Sequence, residues 1–301
     1  MPALDRRAPP SPWSAADARR LQILSSRLVT SLFAGEYRSV FRGRGIEFEE
    51  VRDYQPGDDI RSIDWNVTAR SGRPFVKLYA EEREMTVMIL LDRSASLACD
   101  TPRAAKSRVA AEVCALLIYA ALRSNDRVGL MTFTDRIERY VPPARGARHA
   151  RRLVAEVLQP PPGGQGTDLA AALNYLDKVQ RRGTILFILS DFFAADFSRP
   201  LAAAARRNDV VAISLTDPAD AWLPDAGLLQ VADVETGDRR LVDSGDARVC
   251  EAYRRHAVLR QADLEQTFSA AGVEHLAIGT DTPPVQALTR FFLGRQRRLS
   301  R

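Results

Sequence analysis

The feature that most constrains the fold is a change of pattern at Met85. From there onward, short continuous apolar stretches alternate with longer stretches whose apolar residues recur at helical spacing. Continuous apolar runs of this length are typical of parallel strands that are covered on both faces. The predicted strands are Thr86–Leu91, Val128–Phe133, Ile185–Ser190, Val210–Leu215 and His275–Ile278.

Helices are predicted between these strands. They lie at about 104–123, 147–158, 168–182, 197–207 and 247–271. Alternation of strands and helices implies an α/β fold with a doubly wound, mostly parallel sheet. Ile137–Val141 is expected to pair antiparallel with the strand before it. A chain of 301 residues with 46% hydrophobic composition can bury a full core without disulfide bonds.

The region before Met85 follows a different pattern. Residues 1–16 are Pro-rich and are predicted to be disordered. An amphipathic helix is predicted from Asp17 to Phe33, and glycine-rich turns and short strands follow it. We therefore expect residues 17–84 to form a helix and a small β-rich subdomain, residues 85–294 the α/β domain, and residues 295–301 a basic tail.

Three loops carry oxygen ligands at the ends of predicted elements. Asp92, Ser94 and Ser96 follow the first apolar strand, Thr167 precedes a helix, and Asp191 ends a later strand. Ligands of doubly wound sheets bind beyond the carboxyl ends of the strands, where these loops should meet. Two carboxylates and three hydroxyls suit a hard divalent cation, Mg²⁺ with Mn²⁺ or Ca²⁺ as alternatives. A simpler role for Asp92 is to accept backbone N–H groups at a helix start.

These five residues together resemble the metal-ion-dependent adhesion site (MIDAS) of von Willebrand factor A domains. All five residue types occur in the chain order of that family. The resemblance implies a von Willebrand factor A-like fold. It also implies that the serines and the threonine contact Mg²⁺, that the aspartates act directly or through water, and that an acidic residue of a partner completes the shell.

The block from Gly43 to Arg70 resembles the signature of the DUF58 family, with the stretches GRGIEF and VRDYQPGDDIRSIDW. That family joins such a block to a von Willebrand factor A-like domain, and its members commonly accompany MoxR-type AAA+ ATPases. The resemblance therefore implies a metal-dependent interaction module that serves as adaptor or co-chaperone of a MoxR-type ATPase, with the ATPase or its client as partner.

The charged residues of this block have two interpretations. Arg52 and Asp58 could belong to a docking surface or a second metal site, or to an internal salt-bridge and turn network. We favour the network, because a small subdomain lacks a large core. Trp65 is expected to be a packing residue.

Parts of the sequence are compatible with two other classes of function. A metal-dependent hydrolase could use the same site, but a serine nucleophile needs a base. His149, His256 and His275 have no recognisable triad setting, so no enzymatic activity is expected. The net charge of +5 raises the possibility of a nucleic-acid binder. The arginines are spread along the chain without interleaved aromatics, so no nucleic-acid partner is expected.

The cellular location is predicted from two further features. Cys99, Cys114 and Cys250 are odd in number and far apart, which is typical of free thiols in a reducing compartment. No apolar run approaches the roughly 20 residues that cross a bilayer. We therefore expect a cytoplasmic protein with no integral membrane segment.

Overall fold

The structure is a computed structural model, and it describes residues 29, 35, 37, 40, 45–82, 85–98, 106–160, 166–180, 183–232 and 238–299. The predicted disordered segment 1–16 lies outside the described residues, as does almost all of the predicted helix 17–33. Within that helix the structure describes Val29, which is buried in the core.

One six-stranded sheet forms the centre of the molecule. Its strands lie in the order β10-β7-β6-β3-β4-β5, and all neighbours are parallel except β4 and β5. The predicted α/β fold with a mostly parallel sheet is thereby confirmed, as is the antiparallel partner strand. The bounds are β3 (Thr86–Asp92), β4 (Arg127–Phe133), β5 (Ile137–Ala144), β6 (Ile185–Ser190), β7 (Asp209–Thr216) and β10 (Glu274–Gly279).

Helices cover both faces of this sheet. Successive residues of a strand point to opposite faces, so Ile89 and Leu90 belong to different core clusters. The first cluster includes side chains of α3, α4 and α8, and the second includes side chains of α5, α6 and α7. The bounds are α3 (Lys106–Arg123), α4 (Ala147–Val157), α5 (Leu169–Val179), α6 (Ser198–Ala205), α7 (Ala247–Ala271) and α8 (Pro284–Leu299).

The strand order reverses at β3, next to β6. From β3 the chain continues to β4 and β5 on one side of the sheet, and then crosses to β6, β7 and β10 on the other. This reversal is the topological switch point at which doubly wound sheets bind ligands. A short helix, α2 (Ala95–Ala98), follows β3 directly.

The region upstream of β3 contains a separate two-stranded sheet. β1 (Gly45–Asp53) pairs antiparallel with β2 (Phe75–Glu82), and α1 (Trp65–Ser71) lies between them in the chain. Arg52 forms a bidentate pair with Asp58 at 2.7 and 2.8 Å, and Asp58 also accepts the backbone N–H of Gln55. These contacts support the interpretation of an internal network. The packing role predicted for Trp65 is wrong, because this side chain is 67% exposed.

The C-terminal region differs from the predicted basic tail. Residues 295–299 continue α8, and the buried Arg295 forms ion pairs with Asp209 and Glu274 at the amino ends of β7 and β10. The sequence also left unpredicted a small exposed hairpin, formed by β8 (Leu228–Ala232) and β9 (Arg239–Asp243). Among the described residues, no helix is both long and apolar enough to span a membrane.

Candidate functional site

Asp92 lies at the carboxyl end of the central strand β3 and is fully buried. One carboxylate oxygen accepts the backbone N–H of Ser94 at 2.8 Å, and the other accepts the hydroxyl of Ser190 at 2.5 Å. Asp92 therefore does accept a backbone N–H at the start of a helix, as the simpler interpretation of the sequence predicts. Each carboxylate oxygen of Asp92 still has a second lone pair with which it could bind a metal ion.

Burial raises the pKa of the Asp92 carboxyl from 3.8 to about 6. The hydrogen bond from Ser190 opposes this rise, and the negative charge of Asp191 adds to it. Within the described part of the chain, no cationic side chain lies at ion-pair distance from Asp92. The carboxylate form is consequently destabilised unless a positive charge is supplied from outside.

Ser94 and Ser96 follow Asp92 on one turn. Ser94 is buried and Ser96 is half-buried, and their hydroxyl oxygens lie 3.1 Å apart. Arg93 anchors this turn, because its backbone N–H donates to the carbonyl of Phe133 at 2.8 Å and its guanidinium donates to carbonyls at the end of α4. The anchored turn thus holds two hydroxyls side by side next to Asp92.

Thr167 lies on the loop that leads into α5. The next residue, Asp168, donates its backbone N–H to the carbonyl of Thr134 at 2.8 Å, which joins this loop to the end of β4. The Asp168 side chain caps α5 by accepting the N–H of Ala171. Gly163 and Gly164 of the same loop lie outside the described residues.

Asp191 follows β6 on a constrained turn. The next residue, Phe192, has a φ of 57°, a left-handed conformation that is uncommon for residues other than glycine. Two contacts stabilise this conformation, because the ring of Phe192 packs edge-on against Phe268 and its N–H donates to the Ser190 hydroxyl at 2.9 Å. The turn places Asp191 beside Asp92, close enough to raise the pKa of the Asp92 carboxyl.

Three residues near the site were not among the predicted ligands. Ser190 bonds Asp92 directly, and its position at a strand end was a usable signal. Lys106 donates to Asp191 at 3.4 Å and to Asp220 at 2.9 Å. No local sequence pattern indicates that Lys106 and Asp220 belong to this site. Lys106 is 85 residues from Asp191 in the chain and 114 residues from Asp220.

The donor set fits a hard divalent cation. The structure brings Asp92, Ser94, Ser96 and Asp191 together and places the loop of Thr167 at the same sheet edge. All of these groups present oxygen, the atom that Mg²⁺ and Ca²⁺ prefer. No group of three or more His, Cys, Asp or Glu side chains suitable for a metal occurs among the residues described. A cation here would therefore depend on the hydroxyls.

The histidines are used elsewhere in the structure. A ring nitrogen of His149 is hydrogen-bonded to the carbonyl of Val128 at 2.8 Å, and His275 is hydrogen-bonded to the Ser214 hydroxyl at the same distance. His256 is exposed on α7. None of these contacts involves the serines near Asp92.

Comparison with known proteins identifies one matching family. Residues 50–263 match the family described as a protein of unknown function, DUF58. The chain is 33% identical over 290 residues to the Uncharacterized protein Rv1480 of Mycobacterium tuberculosis, covering 95% of this chain and 91% of that protein. It is 35% identical over 160 residues to the Uncharacterized protein MAV169 of Mycobacterium avium, covering 52% and 94%.

Two solved structures illustrate the wider likeness. BatB from Bacteroides thetaiotaomicron matches with a TM-score of 0.47 at 16% identity, covering 71% of this chain and 99% of that one. The SpRpn10 VWA domain matches with a TM-score of 0.41 at 11% identity, covering 69% and 95%. Both TM-scores are below 0.5, so neither likeness supports an argument about function.

Proposed function

Because this chain belongs to the DUF58 family, we propose that it is a non-enzymatic interaction module whose binding of a partner protein depends on a divalent cation. Mg²⁺ is the proposed cation, with Mn²⁺ or Ca²⁺ as alternatives of the same oxygen-seeking class. The bound cation would supply the positive charge that attracts an acidic residue of the partner. The proposed ligands are Asp92, Ser94, Ser96, Thr167 and Asp191.

One observation carries this proposal. Asp92 is a fully buried carboxylate beside a second carboxylate, and no cationic side chain of the described residues lies at ion-pair distance from it. Such an arrangement is unfavourable in isolation, since burial and a like charge both destabilise the ionised form. It becomes favourable when a cation binds between the neighbouring oxygens. The position at the switch point of the sheet supports the same conclusion.

Neighbouring groups would hold the proposed ligands in position. Ser190 and the backbone N–H of Ser94 orient the Asp92 carboxylate, so that it does not rotate away when it is ionised. The anchored turn keeps the hydroxyls of Ser94 and Ser96 at a fixed spacing. A partner carboxylate approaching without a bound metal ion would meet the unpaired carboxylate of Asp92 beside that of Asp191. Like charges about 4 Å apart repel by about 4 kcal/mol at an effective dielectric of 20. The site would therefore bind its partner only when a divalent cation is bound.

The proposed partner is a MoxR-type AAA+ ATPase or the client of such an ATPase. This partner is the one implied by the resemblance of the Gly43–Arg70 block to the family signature. A hydrolase is the weaker alternative, because a nucleophilic Ser94 would need a nearby base. The contacts of His149 and His275 tie those rings to other parts of the fold.

Calorimetric titration with Mg²⁺ tests the metal site. The wild-type protein should bind Mg²⁺ weakly, and Asp92→Ala should abolish the heat of binding while its circular dichroism spectrum remains that of the wild type. Asp196→Ala is the matched control, because Asp196 is an exposed aspartate that bonds only Ser198 among the described contacts. Binding that is unchanged in the Asp92→Ala protein would refute the site.

Co-purification with the MoxR-type ATPase of the same cell tests the partner. The complex should dissociate in EDTA, and the double variant Ser94→Ala plus Ser96→Ala should fail to form it. Thr267→Ala plus Ser269→Ala removes two hydroxyls near the carboxyl end of α7, outside the proposed ligand set, and should leave binding intact. A complex that survives both the chelator and the double serine variant would show that the metal does not hold this partner.

A further inference from the structure

Lys106 is a buried cation at the edge of the candidate site. It is the first residue of α3, and its side chain is 8% exposed. Its ammonium group contacts two carboxylates, Asp191 at 3.4 Å and Asp220 at 2.9 Å. Asp220 ends the short 3₁₀ turn Pro218–Asp220, which follows β7. One cation is thus shared between a proposed metal ligand and an aspartate outside the proposed site.

Neighbouring groups fix the position of this ammonium. It lies 5.3 Å from the centre of the Phe193 ring, a favourable placement for a cation. Asp220 is itself held, because its second oxygen accepts the backbone N–H of Asp217 at 2.8 Å. A buried ammonium that is paired on both sides has little freedom to leave, since an unpaired charge in this environment is costly.

The consequence concerns the charge available to a metal ion. Asp92 and Asp191 contribute two negative charges, and Lys106 neutralises part of the second. A divalent cation that coordinates Asp191 must weaken the contact with Lys106 and must also tolerate its positive charge nearby. Asp220 offers the ammonium a second partner at a shorter distance than Asp191 does.

We infer that Lys106 is a tethered competitor that lowers the metal affinity of the site, and that Asp220 retains the ammonium when Asp191 turns to the metal. This inference rests on the proposed metal site. It attributes the weak Mg²⁺ binding that we expect of the free protein to one side chain. Occupancy of the metal site would then require either a high concentration of the cation or the additional carboxylate of the partner.

Two substitutions should change the affinity for Mg²⁺ in opposite directions. Lys106→Met keeps the length of the side chain and removes its charge, so the dissociation constant should fall at least tenfold. Asp220→Asn leaves the ammonium to Asp191 alone, so the dissociation constant should rise at least threefold. Asparagine still offers an oxygen to the N–H of Asp217, so the turn is preserved. Arg108→Met is the matched control, because this arginine lies on the same helix with a 62% exposed side chain and should change affinity less than twofold.

The measurement is calorimetric titration of each purified full-length protein with MgCl₂, accompanied by thermal melting with and without Mg²⁺. Lys106→Met should melt below the wild type without metal and gain more from Mg²⁺. Equal affinities in the wild type and Lys106→Met would overturn the role of Lys106 and leave the metal site standing. Absence of Mg²⁺ binding in both proteins would overturn both proposals. If Lys106→Met does not fold, Asp220→Asn decides, and an affinity equal to or tighter than that of the wild type would overturn the inference.

Discussion

Replacing the buried carboxylate of Asp92 by an amide should stabilise the metal-free protein at neutral pH. The pKa of Asp92 is about 6 in the folded state against 3.8 for an unperturbed aspartate. One pKa unit corresponds to about 1.4 kcal/mol, so ionisation of this group opposes folding by about 3 kcal/mol at pH 7. Asparagine keeps an oxygen for the N–H of Ser94, and its amide can donate to the Ser190 hydroxyl. Asp92→Asn should therefore recover most of this amount.

The pH dependence follows from the direction of the shift. Because the folded pKa is raised, the contribution of Asp92 to stability is fully present below about pH 3.8 and is lost as the pH rises through about 6. Urea unfolding in EDTA between pH 4 and pH 7.5 measures this. The free energy of unfolding of Asp92→Asn minus that of the wild type should increase by about 2 kcal/mol across this range, because part of the difference is already present at pH 4.

Mg²⁺ should remove most of the stability difference between the two proteins at pH 7.5. At about 100 times its dissociation constant, a ligand stabilises the folded state by about 2.7 kcal/mol. This gain should appear in the wild type at pH 7.5 and should be largely absent from Asp92→Asn. Asp196→Asn is a control of opposite sign, because hydrogen bonds from Ser198 lower the pKa of Asp196. A stability difference between Asp92→Asn and the wild type that is flat with pH would refute the reasoning.

Three further substitutions test the fold. Arg295→Met should lower the free energy of unfolding by about 1–2 kcal/mol in urea titration, because it removes the cation paired with Asp209 and one of the two arginines paired with Glu274, which keeps Arg298; no change would show that the ion pairs of Arg295 are dispensable. Gly129→Ala should cost about 1–3 kcal/mol, since a β-carbon there would lie 2.8 Å from the Met88 side chain and 2.9 Å from backbone atoms of β5; a neutral result would mean that β5 shifts freely. Trp65→Ala should change stability by less than about 0.5 kcal/mol, because the ring is largely exposed; a larger loss would restore the packing role.

The central sheet could be predicted from local sequence patterns. Residues 87–91 and 185–189 are uninterrupted apolar runs, and a strand buried on both faces needs that composition along its own length. The helix Ala247–Ala271 has the predicted bounds, because Asp246 caps its start and Gly272 ends it in a left-handed conformation. These signals are local, so they can be read without knowing the fold.

Elements with weak local signals escaped prediction. The hairpin Leu228–Ala232 and Arg239–Asp243 buries few of its side chains and shows little alternation. In the sequence, Arg295 is one of several basic residues near the C-terminus. Only the fold shows that its side chain is buried beside Asp209, at the amino end of β7. Conversely, Trp65 reads as a core residue by its type, yet its helix leaves it in contact with solvent.

Some features of the candidate site could be predicted from the sequence, and others could not. Asp92, Ser94, Ser96 and Asp191 follow strand ends, and parallel strands bring such ends to one edge of a sheet, so their grouping could be inferred from the chain. The turn conformation of Phe192 and the ion pairs of Lys106 could not. Electrostatic interaction depends on distance in space, and the ammonium meets Asp191 and Asp220 across 85 and 114 residues of chain. The sequence predicted the oxygens of the candidate site, whereas only the fold shows that the ammonium of Lys106 lies next to Asp191.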